Sequence, residues 1–594
     1  MKVQNRTQRT KDLALMANKL RIESIVSTTT AGSGHPTTCM SCAEIMSVLF
    51  FDELQSDDEF VLSKGHAAPI LWSAYAEAGL IPRKELNNLR KITSNLEGHP
   101  TPLVPMVKIA TGSLGQGLSA GVGMALGKRL KRTKSRVYVL LGDGECAEGS
   151  VWEAANAAAY YRLNNLCAIV DVNRLGQSQQ TMHGHNLKAY SKKFKAFGWN
   201  TKIIDGHSTK QVLAAFQSAK KSRKPFAILA KTIKGKGISF LEDKEGWHGK
   251  PLSKEQMQEA LSEIGPAEIT LKSQVRYARQ KQSPVDFKVK DYNIGEMVAT
   301  RKAFGNALLS LGKKDQTVVA LDGDVRNSTM TDAFFKQFPE RSFESFIAEQ
   351  NMIGMAAGLS AVGFKPFAAT FGTFLTRAHD FIRMAMYSEA NINIVGSHAG
   401  VSIGEDGPSQ MGLEDLSMFL SMAESQVFYP CDAVSTEQLV KEMARSKGIS
   451  YMRTTREGTP VLYDKKERFP PGKFKVLYKS SKDKALIIAA GETVHEALKA
   501  QESLKKKRKS VRVIDLYSVK PVDAAGLIKN AKECSNNVVV VEDHYFGGIG
   551  AVVSGILGPV KQLYVKKIPR SGKPQQLRRK YGIDAEAIVK AVNR

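Results

Sequence analysis

VYVLLGDGECAEG, residues 137–149, sets an aspartate at the end of an apolar run and between two glycines. Val137, Tyr138, Val139, Leu140 and Leu141 are short, uninterrupted and rich in β-branched and aromatic side chains, which predicts a buried strand. A carboxylate at the carboxyl end of such a strand lies where open α/β sheets bind ligands. Gly142 and Gly144 allow a sharp turn and let a ligand approach the main chain. Taken alone, the segment is equally a ligand position and a turn that happens to contain aspartate.

Further along, GSVWEAANAAAYY (149–161) is alanine-rich with helical spacing, and LCAIVDVN (166–173) is a second buried strand. The three make a β-α-β unit, so both strands emerge on one edge of a parallel sheet. Asn173 ends the second strand as Asp143 ends the first. One carboxylate and one amide oxygen, with free carbonyls nearby and no all-protein cage, suit Mg2+ whose other ligands are phosphate oxygens. In its extended form, GDGECAEGSVWEAANAAAYYRLNNLCAIVDVNRLGQS, the stretch resembles the thiamine-diphosphate and Mg2+ fingerprint and, more specifically, that of the transketolase family. The resemblance implies that Asp143, Asn173 and the backbone carbonyl of Leu175 ligate Mg2+ (Ca2+ being a possible substitute), and that the metal clamps the diphosphate. Asn164 and Asn165 precede the second strand and cannot reach that edge.

Composition sets the frame. A chain of 594 residues predicts several domains, and 42% hydrophobic with 24% charged residues is ordinary for a globular protein. No apolar stretch approaches a membrane span. The N-terminal MKVQNRTQRTKDLALMANKL has no apolar signal core, the C-terminal AVNR no retention or peroxisomal tripeptide, and cysteines number six. The expectation is a reducing, cytoplasmic setting. Cys39 and Cys42 form a C-x-x-C without a second pair to complete a zinc site, and read as structural. The net charge of +27 suits phosphorylated substrates or nonspecific polyanions. The run LKKKRKSVR (504–512) reads as a solvated helix end, and no nucleic-acid motif is present, so no specific nucleic acid and no membrane are expected as partners.

Strand–helix alternation recurs in three blocks, which predicts an α/β fold of three consecutive domains, each with a mainly parallel sheet flanked by helices. The expected boundaries are 1–265, a charged linker 266–294, 295–466, and 467–594 after the proline-rich joint ERFPPGKF. The resemblance covers all three blocks in order. It implies a diphosphate-binding, an aminopyrimidine-binding and a transketolase C-terminal domain, and a homodimer with active sites at its interface.

Histidines number eleven, and five stand in Gly/Pro-flanked loops: His35 in SGHPTT, His66 in LSKGHAAP, His99 in EGHPTP, His248 in GWHGKP and His398 in GSHAGVSIGEDGPSQ. Imidazoles exchange hydrogen bonds with sugar hydroxyls and move protons near neutrality. The resemblance places His35, His99 and His248 along a sugar channel, His66 and His248 near the cofactor, and His398 with Asp406 on the donor's first hydroxyls. ATGSLGQGLSAGVGMALG (110–127) reads either as a tightly packed small-residue helix or as a diphosphate cradle at a helix N-terminus. By resemblance Gly112, Ser113, Leu114, Thr38, Gly144 and Lys234 join the cofactor contacts.

Glu349 in ESFIAEQNM reads by itself as a helix N-terminal carboxylate. The resemblance makes it the acid that faces the aminopyrimidine, supplied by the opposite subunit. Phe371 and Phe374, spaced as a core pair, become walls against that ring, and Gln410 marks the animal type of the family. Arg301, Ser328 and Arg456 are implied to bind the sugar phosphate, for which guanidinium groups offer paired donors. The activity so implied is reversible transfer of a two-carbon ketol unit, through a thiamine-diphosphate carbanion, from xylulose 5-phosphate to ribose 5-phosphate or erythrose 4-phosphate in the pentose phosphate pathway. Two alternatives stand beside it: a related enzyme such as deoxyxylulose phosphate synthase or dihydroxyacetone synthase, and a non-catalytic transketolase-like binding protein. The strings RTTR and SHAGVSIGEDGPSQ favour transketolase, whereas FFDELQSDDEFVLSKG looks shorter than in animal members.

Overall fold

The structure, a computed structural model, describes residues 2–276 and 286–593, with side chains from Thr7 onward. Positions 277–285 of the expected linker lie outside the described residues. The chain divides into two compact units, Met1–Lys281 with Ala357–Val362, and Gln282–Ala356 with Gly363–Arg594.

The first unit is built on five parallel strands: β1 (Glu59–Leu62), β2 (Val137–Gly142), β3 (Leu166–Val172), β4 (Asn200–Asp205) and β5 (Phe226–Lys231). Their order across the sheet is β1-β2-β3-β5-β4. β3 is buried along its whole length, as expected of a parallel strand covered by helices on both faces. The predicted helix between β2 and β3 spans Gly149–Tyr160. Because the strands run parallel, the segments after β1, β2, β3 and β5 all leave by one edge.

The second unit begins with β6 (Met297–Ala299), followed by β7 (Val318–Asp322), β8 (Ser342–Glu344), β9 (Lys365–Phe371), β10 (Ile392–Ser397), β11 (Ser425–Phe428), β12 (Ile449–Arg453) and β13 (Gly458–Pro460). The last third adds β14 (Lys475–Tyr478), β15 (Leu486–Ala489), β16 (Arg512–Asp515), β17 (Ser518–Lys520), β18 (Val538–Val541) and β19 (Lys561–Leu563). One sheet has the order β17-β11-β12-β10-β9-β7-β8, another β14-β16-β15-β18-β19, and β6 pairs with β13 in a small antiparallel ribbon. Both larger sheets are parallel except at one edge, where β17 and β14 run antiparallel. β17 comes from the last third yet closes the sheet of the middle third. One continuous core accordingly runs from Phe304 and Phe367 through Met452 to Val513, Val541 and Ile588.

The glycine-rich loop leads into helix Gln116–Leu130, which lies close on the first sheet. A Cβ at Gly117 would sit 2.5 Å from the Ser63 Cβ and 2.9 Å from its Cα, so the backbone itself would have to move. Gly117→Ala is therefore expected to destabilise the first unit by about 1–3 kcal/mol through overpacking, although alanine is the better helix former. Chemical denaturation measures this, and a midpoint at or above that of the parent chain would show that the contact relaxes.

Candidate active site

The shared strand edge of the first unit is organised around a buried carboxylate. Asp171, in β3 and fully buried, accepts hydrogen bonds from Lys64 Nζ beyond β1, from Thr232 Oγ1 beyond β5, from Ser41 Oγ at 2.6 Å and from Asn173 Nδ2 at 3.2 Å. Burial alone would raise its pKa, but the adjacent Lys64 ammonium holds it below the ordinary carboxylate range. Lys64 in turn stays charged despite burial because Asp171 faces it. Glu145 plays a second joining role. Its Oε1 accepts from Ser63 Oγ at 2.6 Å and Gly115 N at 2.9 Å, and its Oε2 from Gly142 N at 2.8 Å. One side chain thus ties the glycine-rich loop to the ends of β1 and β2, and Gly115, at φ +84°, makes the turn that permits it.

On this base sit the predicted ligands. Asp143 Oδ1 accepts from Gly144 N at 3.1 Å, and Oδ2 accepts from Arg174 N at 2.9 Å and Thr181 Oγ1 at 2.8 Å. Burial, with the nearby Asp171 charge, pushes its pKa up to about 6. Asn173 Oδ1 accepts from Leu175 N at 3.2 Å. The Leu175 carbonyl accepts from Lys234 Nζ at 3.0 Å, which also reaches Gly176 O at 3.3 Å and His248 Nδ1 at 2.9 Å. Carboxylate, amide and carbonyl oxygens are the hard donors a small divalent cation takes. Among the described residues no three His, Cys, Asp or Glu gather to hold a metal alone, so these groups would supply only part of an ion's shell.

Four of the predicted histidines form one cluster beside these groups. The His35 ring lies 5.4 Å from His66, 6.2 Å from His99 and 5.1 Å from His248, and His66 stacks on His248 at 5.2 Å. Ser113 Oγ accepts from the His66 backbone N–H at 3.1 Å and lies 2.6 Å from Nδ1, while Thr38 Oγ1 lies 3.0 Å from Nε2. A neutral ring donates to one of these hydroxyls and accepts from the other, so either tautomer satisfies both contacts. The Lys234 ammonium donates to His248 Nδ1, which fixes that ring's proton on Nε2. Burial and neighbouring positive charge, from His248 and Arg90 among others, lower His35 to about 3. Burial with Lys234 and Lys64 lowers His248 to about 4, and His66 and His99 are lowered too, mainly by burial. The cluster is neutral at physiological pH. Gly112 and Leu114 flank Ser113 in the same loop, with Leu114 half exposed.

The second unit assembles another group. His398, at φ +55° after β10, stacks on Phe371 at 4.0 Å, and Phe371 stacks on Phe374 at 4.9 Å. The core pair expected at Phe371 and Phe374 thus extends to an imidazole. Burial, then the charges of Arg301 and Arg456, lowers His398 to about 3. Arg301 Nη1 donates to Ser328 O at 2.9 Å, and its buried Nε has no hydrogen-bond partner among the described residues. Burial and the neighbouring Arg456 both disfavour its charge. Arg456 Nη1 donates to Ile403 O and to Asp406 Oδ2, each at 3.1 Å. Two guanidinium groups held within electrostatic reach, one with an unused buried donor, make a place for a multivalent anion. Glu349 opens helix Glu349–Ala361, buried, with its carboxylate 3.3 Å from Arg377. Gln410 is half-buried, its amide nitrogen 3.4 Å from Ser409 Oγ.

The side chains that organise the first group, Asp171, Lys64 and Glu145, were not singled out by sequence reasoning. An aspartate inside the apolar run CAIVDV was the available signal, since a buried charge requires a partner. Cys39 and Cys42 are both buried and their thiols are raised by burial, in keeping with the structural reading.

Comparison with known proteins fits this geometry. Residues 13–288 match the transketolase thiamine diphosphate binding domain, 296–461 the transketolase pyrimidine binding domain, and 473–588 the transketolase C-terminal domain. The fold is that of the thiamine-diphosphate-binding class. Mouse and human transketolase are each 49% identical over 613 residues, spanning 99% of this chain and 98% of theirs. The structure of transketolase from Campylobacter jejuni superposes with a TM-score of 0.88 at 25% identity, over 98% of this chain and 99% of that one. The chain belongs to the transketolase family.

The depressed imidazoles make a pH prediction. His35 and His248 titrate near 3 and 4 when folded and near 6.5 when unfolded. Between those values the unfolded chain binds more protons, so their contribution is complete above about pH 6.5 and is lost as the pH falls toward 4. His35→Gln removes one such group and should shrink the drop in thermal midpoint between pH 7 and pH 5. Calorimetry at both pH values tests this, and an unchanged drop would show that His35 titrates normally.

Proposed function

We propose that this chain is a transketolase that moves a two-carbon ketol unit from a ketose phosphate such as xylulose 5-phosphate to an aldose phosphate such as ribose 5-phosphate or erythrose 4-phosphate. It would do so in the pentose phosphate pathway, in the cytoplasm, as a homodimer. The observation that carries the reading is the meeting of Asp143, Asn173 and Leu175 with four neutral imidazoles at one sheet edge, in a chain that matches 98% of the length of its mouse relative.

Thiamine diphosphate, once bound, supplies an acidic thiazolium carbon and an electron sink for the broken carbon–carbon bond. The chain's own residues do the rest. Asp143, Asn173 and the Leu175 carbonyl hold Mg2+ or Ca2+, and a cation there would keep Asp143 ionised. Thr38, His66, Gly112, Ser113, Leu114, Gly144 and Lys234 hold the diphosphate arm. Glu349 would bond the aminopyrimidine ring, Phe371 and Phe374 would wall it, and Gln410 would add a further cofactor contact. His35, His99 and His248 act on sugar hydroxyls. Being neutral, each both donates and accepts, and His248 presents its Nε2–H because Lys234 occupies Nδ1. His398 and Asp406 receive the donor's first hydroxyls, and Arg301, Ser328 and Arg456 anchor the phosphate.

The direct test is ketol transfer by the purified chain with and without thiamine diphosphate and Mg2+; no transfer in the complete mixture overturns the reading. In the same assay Arg456→Ala should raise KM for a ketose phosphate roughly ten- to a hundredfold, the loss of one charged hydrogen bond of about 1.5–3 kcal/mol. Turnover of a nonphosphorylated ketol donor should change much less. Equal losses on both donors would remove Arg456 from the phosphate site.

The dimeric site gives a separate prediction. Asp143→Ala and Glu349→Ala, each inactive alone, should recover about half of parental activity when co-expressed as a tagged heterodimer, because one site then carries both lesions and the other none. A heterodimer that forms and stays inactive would show that Glu349 does not serve its partner.

A further inference from the structure

The last third of the chain grips the loop that carries His398 and Asp406 through a buried aspartate. Asp543 follows β18 and is fully buried, and both its oxygens accept from Val401 N, at 2.9 and 3.1 Å. Gly400, at φ +78°, allows this approach: a Cβ there would lie 1.9 Å from Asp543 Oδ2. The Asp543 carbonyl accepts from Arg453 Nη1 at 2.8 Å. The same guanidinium donates to Gly412 O at 2.5 Å and Asp415 Oδ2 at 3.0 Å, so Arg453 holds one end of the loop directly and the Val401 end through Asp543. The turn at Gly404 rests on Gly572 O and Pro574, from which a Cβ at 404 would lie 3.2 and 3.4 Å. Arg578 bonds Glu457, the residue after Arg456, at 2.6 Å. The loop meets the anchor at its centre, where Ile403 O and Asp406 hold the Arg456 guanidinium.

We propose that Asp543, seconded by Arg578, is a positioning residue for the sugar-phosphate site: it sets the backbone of residues 400–406 and, through Ile403 and Asp406, the aim of the Arg456 guanidinium. The last third of the chain thereby takes part in substrate recognition without touching substrate. The identity of the ligand rests on the transketolase reading; the mechanical coupling rests on the contacts within this unit alone.

The test uses the full chain with Asp543→Ala, Asp543→Asn and Arg578→Lys, loaded with thiamine diphosphate and Mg2+. Asp543→Ala should raise KM for a ketose phosphate roughly tenfold or more, the effect of losing a charge-assisted hydrogen bond, with thiamine diphosphate affinity within about twofold of parental. Asp543→Asn, which keeps an acceptor for Val401 N, should recover most of the loss. Combined with Arg456→Ala, the second substitution should add little, because both act on one anchor. Additive losses, or an equal loss of cofactor affinity, would reduce Asp543 to a general structural residue. Arg578→Lys, the milder variant, should show the same KM bias if Asp543→Ala does not fold, and parental KM there overturns the coupling. Two readouts are independent of catalysis. Hydrogen exchange over residues 399–407 should quicken in Asp543→Ala while β15 and β18 stay protected, and binding of inorganic phosphate should weaken. If the parental chain shows no ketol transfer, the functional reading falls and these two measurements still decide the proposal. Unchanged exchange and phosphate affinity overturn it.

Discussion

The first unit depends on one buried ion pair, that of Lys64 with Asp171. Both side chains are shut away from water, at 1% and 0% exposure. Removing either partner would strand a charge at a cost of about 3–5 kcal/mol. The pair does more than neutralise itself. With Ser41, Thr232 and Asn173 on the same carboxylate, it draws the ends of β1, β3 and β5 and a flanking helix to one point. Asp143 and Asn173 stand on that foundation, and Glu145 locks the glycine-rich loop to it. The neutral imidazoles owe part of their state to the same source, since Lys64 adds to the positive field that lowers His66 and His248.

The second unit uses a similar device with a different result. Arg453 and Asp415 are both fully buried, and Tyr451 shares the carboxylate. Here the guanidinium spends its remaining donors on main-chain carbonyls at Asp543 and Gly412, so charge burial is turned into loop geometry. The glycines at 400, 404 and 407, all at positive φ, give the loop the shape that these donors hold.

Sequence made some of this legible and concealed the rest for physical reasons. The strand ends at Asp143 and Asn173 could be read because buried parallel strands are continuous apolar runs, and parallel topology places the residues just beyond them on one edge. The helix between them and the strands ALIIAA, VRVIDLY and NVVVVED were readable on the same grounds. β17 was not, being three residues long and paired with a strand some ninety positions earlier. Lys64 and Asp171 are 107 residues apart, and Asp543 and Val401 are 142 apart. Local pattern names neither partner. The histidine cluster lay between these cases: each loop was conspicuous by itself, but only the fold shows His35 within ring contact of three others.

The pairing of Arg456 with Asp406 has a consequence for the ionic medium. Both side chains are about half exposed, at 42% and 53%, and such a pair is held by about 0–1 kcal/mol. The carboxylate and the Ile403 carbonyl both sit on Nη1, so an anion would take the other guanidinium nitrogens while that light hold remains. The same exposure leaves the guanidinium open to small ions, whose screening shortens the reach of exposed charges to about 8 Å at physiological strength. In a chain of net charge +27, the long-range field that gathers anions is subject to that screening too. Capture and grip would therefore both weaken as salt rises, whereas the buried pairs beneath them would scarcely register it.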